Sequence, residues 1–139
     1  MKNFFRAAAT VGTVAVLMTA GTVFASAPAL QHHLARSYTY NVTDIYPTMV
    51  TLHGMVSAEY SGPGEMWFEY GTQNVFNNYA ATWPSKSTVQ HFQNSGYNDF
   101  TTTIYGLKPN TTYHIQLRAE NAIGVTSGGV ITFTTSSHI

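Results

Sequence analysis

The chain has 139 residues, room for one domain of ordinary size. Hydrophobic residues make up 44% of it and charged residues only 9%, against roughly 25% charged in an average globular protein. Lys+Arg and Asp+Glu number six each, and once Lys2 and Arg6 are assigned to a leader, four cations remain against six anions. That balance excludes counterion-driven binding to nucleic acid and a basic patch for anionic lipid.

The missing charge is replaced by Thr, Asn, Ser, Gln and nine tyrosines, a mixture that fits the half-buried surface of a sheet and points to an all-β fold. At the N-terminus, Lys2 and Arg6 precede an uncharged stretch from Ala7 to Phe24. Val23 and Ala25 stand where a signal peptidase reads, so residues 1–25 are expected to be a signal peptide cut after Ala25. A cut after Ala27 ranks lower, because Pro28 would adjoin the scissile bond. The alternative is an uncleaved anchor, since the stretch reaches the ~18 residues that invite that assignment; its Gly and Thr residues make it a weak span. The chain has no cysteine, so neither a lipid-modified Cys nor a disulfide is expected and the fold must rest on its core. Residues 26–37 have no sustained period and read as a linker or arm.

From Tyr38 onward, short alternating segments are separated by Gly, Pro, Asn and Ser clusters. Val50, Leu52, Gly54 and Val56 share one strand face, opposite Met49, Thr51, His53 and Met55. Met66, Phe68 and Tyr70 alternate with Trp67 and Glu69. Tyr113, Ile115, Leu117 and Ala119 alternate with His114, Gln116, Arg118 and Glu120, and Ile131 and Phe133 with Thr132 and Thr134. This pattern predicts antiparallel sheets with one face in water. Seven strands fit: A near 38–46, B over 48–57, C over 65–71, C′ near 75–81, E over 99–105, F over 111–120 and G over 128–135. The stretch 82–98 receives no assignment.

The segment carrying Ile104, Leu107, Pro109, Thr111 and Tyr113 resembles the E–F corner of fibronectin type III domains, where an apolar residue is followed by Leu-x-Pro-x-Thr-x-Tyr. There Pro109 and Asn110 make the turn, and Tyr113 buries its ring while its hydroxyl bonds to upstream backbone. Phe68-Glu-Tyr-Gly71, and Ala119 to Gly124 leading into Ile131 to Thr135, resemble bacterial members of the same family. The resemblance spans residues 38–135, with 136–139 as a C-terminal tail. It implies an immunoglobulin-like, seven-stranded antiparallel β-sandwich that serves as a spacer or as a protein- or glycan-contacting module. Two departures stand out: the segment from Asn121 to Gly129 holds no Arg-Gly-Asp, and the Trp preferred on strand B of animal members is missing.

Catalytic constellations are not found in the sequence. His53 and His114 are expected to face outward from strands B and F, in opposite sheets across a core ~10 Å thick, where they cannot share a metal. His32 and His33 lie apart from any carboxylate. Glu65 and Glu69 fall ~13 Å apart on one strand, beyond the ~5–9.5 Å of glycoside hydrolysis. No serine sits in a Gly-x-Ser-x-Gly elbow. The expectation is no enzyme, no metal and no cofactor. Asn41-Val-Thr43 and Asn110-Thr-Thr112 are formal glycosylation acceptors, expected to be unmodified behind a bacterial leader.

The aromatic surplus supplies the candidate site. With Met66, Phe68 and Tyr70 turned inward, Trp67 and Glu69 face out beside His114, Gln116 and Arg118 of the neighbouring F strand, with Tyr79, Trp83 and Phe76 bordering them. This predicts an exposed ligand-binding face, with Glu69 pairing across to Arg118 and Trp67 contributing to binding rather than to stability. The competing reading is that Trp67 and Trp83 only pack. The expected function is a secreted or cell-surface interaction module, contacting an extracellular protein or assembling with itself on the surface or matrix. The alternative is a carbohydrate-binding module using the aromatic face of strands C and F.

Overall fold

The computed structural model describes residues 33–73, 83–93 and 95–138. The expected leader, most of the arm and the expected strand C′ lie outside them. Among the described residues eight strands form: β1 (Arg36–Thr39), β2 (Met49–Ser57), β3 (Gly64–Gly71), β4 (Ser85–Lys86), β5 (Gln90–Phe92), β6 (Tyr97–Tyr105), β7 (Thr112–Asn121) and β8 (Val125–Thr134). One sheet runs β1-β2-β6 and the other β4-β3-β7-β8, with β5 also pairing to β3. Every pairing is antiparallel. No helix among these residues is long and apolar enough to cross a membrane.

The inward stripes read from the sequence make the core. Val50, Leu52 and Val56 of β2, Met66 and Phe68 of β3, and Ile115, Leu117 and Ala119 of β7 are all buried, with Phe92, Phe100, Ile104, Leu107 and Phe133 packed among them. Phe68 stacks on Phe100 with ring centroids 5.2 Å apart. Phe100 lies directly opposite Gly54 in the β2–β6 register, and a Cβ at Gly54 would sit 3.1 Å from the Phe68 ring. Two phenylalanines thus fill the centre of a sandwich whose strand B carries no tryptophan.

Several expected boundaries are corrected. Strand A does not run from 38 to 46. It covers Arg36–Thr39, and the chain then touches β2 only at Tyr40, whose N–H donates to the His53 carbonyl, and at a bridge between Thr43 and Thr51. Three steps from Tyr40 to Thr43 match two from His53 to Thr51, so one extra residue bulges the chain and turns Val42 against the core. The last residues read as an arm are packed: Ala35 is buried in the core, and β1 starts at Arg36. Strand E begins two residues early, at Tyr97, and strand G occupies Val125–Thr134. Two short strands, β4 and β5, occupy the stretch left unassigned.

The β7–β8 register shifts between Gln116 and Arg118, where β8 carries an extra residue at Gly128 and Gly129. The Leu117 amide there donates across the sandwich to Thr39 Oγ1, 3.0 Å away on β1. Gln116 Nε2 bonds the Gly128 carbonyl at 2.8 Å, and Ser37 and Thr126 hydroxyls meet at 2.9 Å. Edge strand β1 is thereby tied to the sheet it does not belong to.

At the E–F corner, the Lys108 amide donates to the Tyr113 hydroxyl at 2.9 Å, and the Tyr113 ring stacks on Phe133. Leu107 is buried, Thr111 Oγ1 donates to the Pro109 carbonyl, and Thr135 Oγ1 donates to the Lys108 carbonyl. Tyr113→Phe keeps the ring and leaves the Lys108 N–H without that acceptor. It is expected to cost about 1 kcal/mol in a denaturant titration; an unchanged midpoint would mean that the corner bond contributes nothing.

Candidate functional site

Two outer faces are available, one per sheet. On the β3–β7 face, the ladder sets Trp67 opposite Arg118, Glu69 opposite Gln116, and Gly71 opposite His114. The alternation of β3 does send Trp67 and Glu69 away from Met66 and Phe68, as the sequence predicts. Yet neither is open: each is only 7% exposed. The reason is β4, which pairs Lys86 with Glu69 and carries the Lys86 ammonium over the Trp67 ring, 4.1 Å from its centroid. The indole N–H of Trp67 donates to Glu69 Oε2 at 3.1 Å, and Arg118 Nη1 reaches Glu69 Oε1 at 3.4 Å. One carboxylate thus ties an indole and a guanidinium together under a lysine. The expected Glu69–Arg118 contact forms, but as a mostly buried pair rather than an exposed one.

The other expected site residues are engaged or covered. His114 Nδ1 lies 2.8 Å from the Thr132 hydroxyl, and Gln116 is spent on the β8 bulge. Trp83 is buried, and its indole N–H donates to the Gln73 carbonyl. Tyr79 and Phe76 lie outside the described residues. The expectation of an open aromatic platform on strands C and F is therefore corrected: its two tryptophans are packed. Sequence reasoning missed the lysine that closes it because Lys86 sits in the unassigned stretch.

The opposite face is the open one. Along β6, Tyr97, Asp99, Thr101, Thr103 and Tyr105 alternate with Asn98, Phe100, Thr102 and Ile104, and with Phe100 and Ile104 in the core the first set faces outward. Tyr97 and Tyr105 are 76% and 69% exposed, the highest values among the exposed large hydrophobic side chains. Tyr38 and Tyr40 add two more exposed rings from the β1 side. Between them a hydroxyl network runs across the strands: Thr43 Oγ1 to His53 Nε2 at 2.8 Å, His53 Nδ1 to Thr101 Oγ1 at 3.2 Å, and Thr51 to Thr103 at 3.1 Å. At ~3.4 Å per residue the face is ~27 Å long between its end tyrosines and three strands wide. Its signal in the sequence was faint, since only Phe100 and Ile104 mark the inward side of Tyr97–Tyr105.

No family model and no curated protein matches the chain. Among solved structures, the sensor domain of the anti-sigma factor RsgI4 of Pseudobacteroides cellulosolvens is similar, with TM-score 0.57 at 18% identity, covering 75% of this chain and 96% of that one. The sixth fibronectin type III domain of human fibronectin type III domain containing protein 3 gives TM-score 0.52 at 18% identity, covering 75% and 87%. A second structure, of a fibronectin type III domain of the same human protein, gives 0.51 at 15%, covering 74% and 86%. The fold is a fibronectin-type-III-like β-sandwich.

Proposed function

We propose that this chain is a non-catalytic interaction module, acting at the cell surface or matrix by contact with a protein or with its own kind. The observation that carries this reading is the outer face of β1, β2 and β6. It holds four exposed tyrosines around a hydrogen-bonded Thr–His centre. Tyrosine suits contact surfaces because its ring buries a large area with few rotamers to freeze while its hydroxyl keeps a polar handle. Set apart on one sheet face around a polar centre, the four rings offer separate aromatic anchors rather than one apolar patch. The carbohydrate reading drew on an open platform at Trp67 and Trp83, and both are buried.

Retention on intact host cells tests the proposal. A variant combining Tyr38→Ala and Tyr97→Ala is expected to lose at least about 10-fold in retained protein, with little change in its denaturation midpoint, as exposed positions allow. Unaltered retention would overturn this face as the contact surface.

A further inference from the structure

We infer that two copies of this chain pair antiparallel through the outer edges of β6, centred on Thr101, so that their three-stranded sheets join. This rests on the reading of the tyrosine face as a contact surface and deepens it: a second copy joined at the β6 edge would make the two outer faces continuous.

The hydrogen-bond phase of the sheet fixes which groups are available. The Ala58 amide donates to the carbonyl of Gly96 directly across from it, and the Tyr40 amide donates to His53. In an antiparallel ladder bonded pairs alternate, so even-numbered residues of β2 bond towards β6 and odd-numbered ones towards β1. On β6, therefore, Asn98, Phe100, Thr102 and Ile104 are committed to β2. The N–H and C=O groups of Tyr97, Asp99, Thr101, Thr103 and Tyr105 point away from it. Among the described residues one bond reaches that edge, from Gln90 Nε2 to the Asp99 carbonyl, and at 3.4 Å it is long for a hydrogen bond.

The edge carries few of the devices that keep strands from pairing with other chains. β6 has nine residues, an unbroken register with β2, and neither Pro nor Lys. Its one charge is Asp99.

The same five residues are symmetric about Thr101. Pairing centred there sets Tyr97 against the partner's Tyr105, Asp99 against the partner's Thr103, and Thr101 against its own copy. All five edge-facing residues are used, giving about ten ladder hydrogen bonds. Centring on Asp99 instead would oppose two like charges, and centring on Thr103 would leave Tyr97 unpaired. The register with the most bonds and no charge clash also covers the two most exposed tyrosines, each by the other, as directly opposed aromatic pairs.

The test combines sedimentation with site-specific cross-linking, which is clean because the chain has no cysteine of its own. The purified chain is expected to sediment as a monomer–dimer equilibrium. Thr101→Lys, which brings two ammonium groups face to face at the centre, should weaken the dimer about 30-fold or more, equivalent to ~2 kcal/mol; at concentrations where both proteins are monomeric its denaturation midpoint should fall by no more than the loss of the exposed His53–Thr101 contact allows. Under mild oxidation Thr101→Cys should cross-link to itself. Thr103→Cys alone should not, but should do so when mixed with Asp99→Cys. A chain that stays monomeric at every concentration overturns the inference, and so does a dimer indifferent to Thr101→Lys or one with another cross-linking pattern. A monomer whose tyrosine variants still lose cell retention would overturn the dimer alone and leave the contact face standing.

Discussion

Trp67→Ala is expected to lower the unfolding free energy by about 3 kcal/mol, the lower end of the range for truncating a buried tryptophan. Three losses contribute. The indole area covered by Lys86 and the neighbouring strands is re-exposed, and a cation–π contact of roughly 0.5–1 kcal/mol disappears. Glu69, itself buried, also loses the indole donor at Oε2 and keeps only the 3.4 Å contact to Arg118. Urea denaturation of the variant measures the sum. A cost below about 1 kcal/mol, together with a specific loss of binding, would restore the view of Trp67 as an exposed contact residue. The expected direction is the reverse of what the alternation of β3 predicts by itself.

Gly128→Ala should cost about 2–3 kcal/mol, while Gly129→Ala one position on should change stability by no more than about 0.5 kcal/mol. A Cβ at Gly128 would fall 2.5 Å from Thr39 Oγ1 and 2.7 Å from the Thr39 amide nitrogen, whereas a Cβ at Gly129 meets nothing within 4 Å. The Gly128 conflict is with backbone as well as side chain, so no rotamer change relieves it and β1 must move away from β8. Such a move also stretches the Thr39–Leu117 and Ser37–Thr126 bonds. Equal midpoints for the two variants would show that β1 tolerates displacement.

The strands legible in the sequence were those whose two faces differ in chemistry. β7 alternates polar with apolar from Thr112 to Glu120, and β2 does so from Val50 to His53, and their inward Val, Leu, Ile, Tyr and Ala residues are in the core. The E–F corner was legible because Leu107, Pro109, Thr111 and Tyr113 each serve a local geometry that their spacing announces. Strand A was not. Its side chains alternate through Tyr40, but a bulge between Tyr40 and Thr43 is a matter of pairing, which a single strand's pattern does not record. The candidate site failed for a related reason. Alternation says which side of a sheet a residue takes and nothing about what lies on top, and Trp67 is covered by Lys86 from a two-residue strand too short to have a period. The open tyrosine face was not legible because β6, the strand that carries two of its rings, marks its core side with only Phe100 and Ile104.

The bond from the Leu117 amide to Thr39 has a dynamic consequence. Leu117 sits in the middle of β7, a strand flanked on both sides, where amide protons ordinarily exchange with solvent only when the whole domain opens. Its acceptor, however, belongs to a four-residue strand at the margin of the opposite sheet. Lifting β1 alone therefore unprotects an amide at the heart of the molecule while its neighbours in β7 remain closed. Protection at that single site follows the detachment of the N-terminal strand, so a small local opening at the edge is registered in the centre.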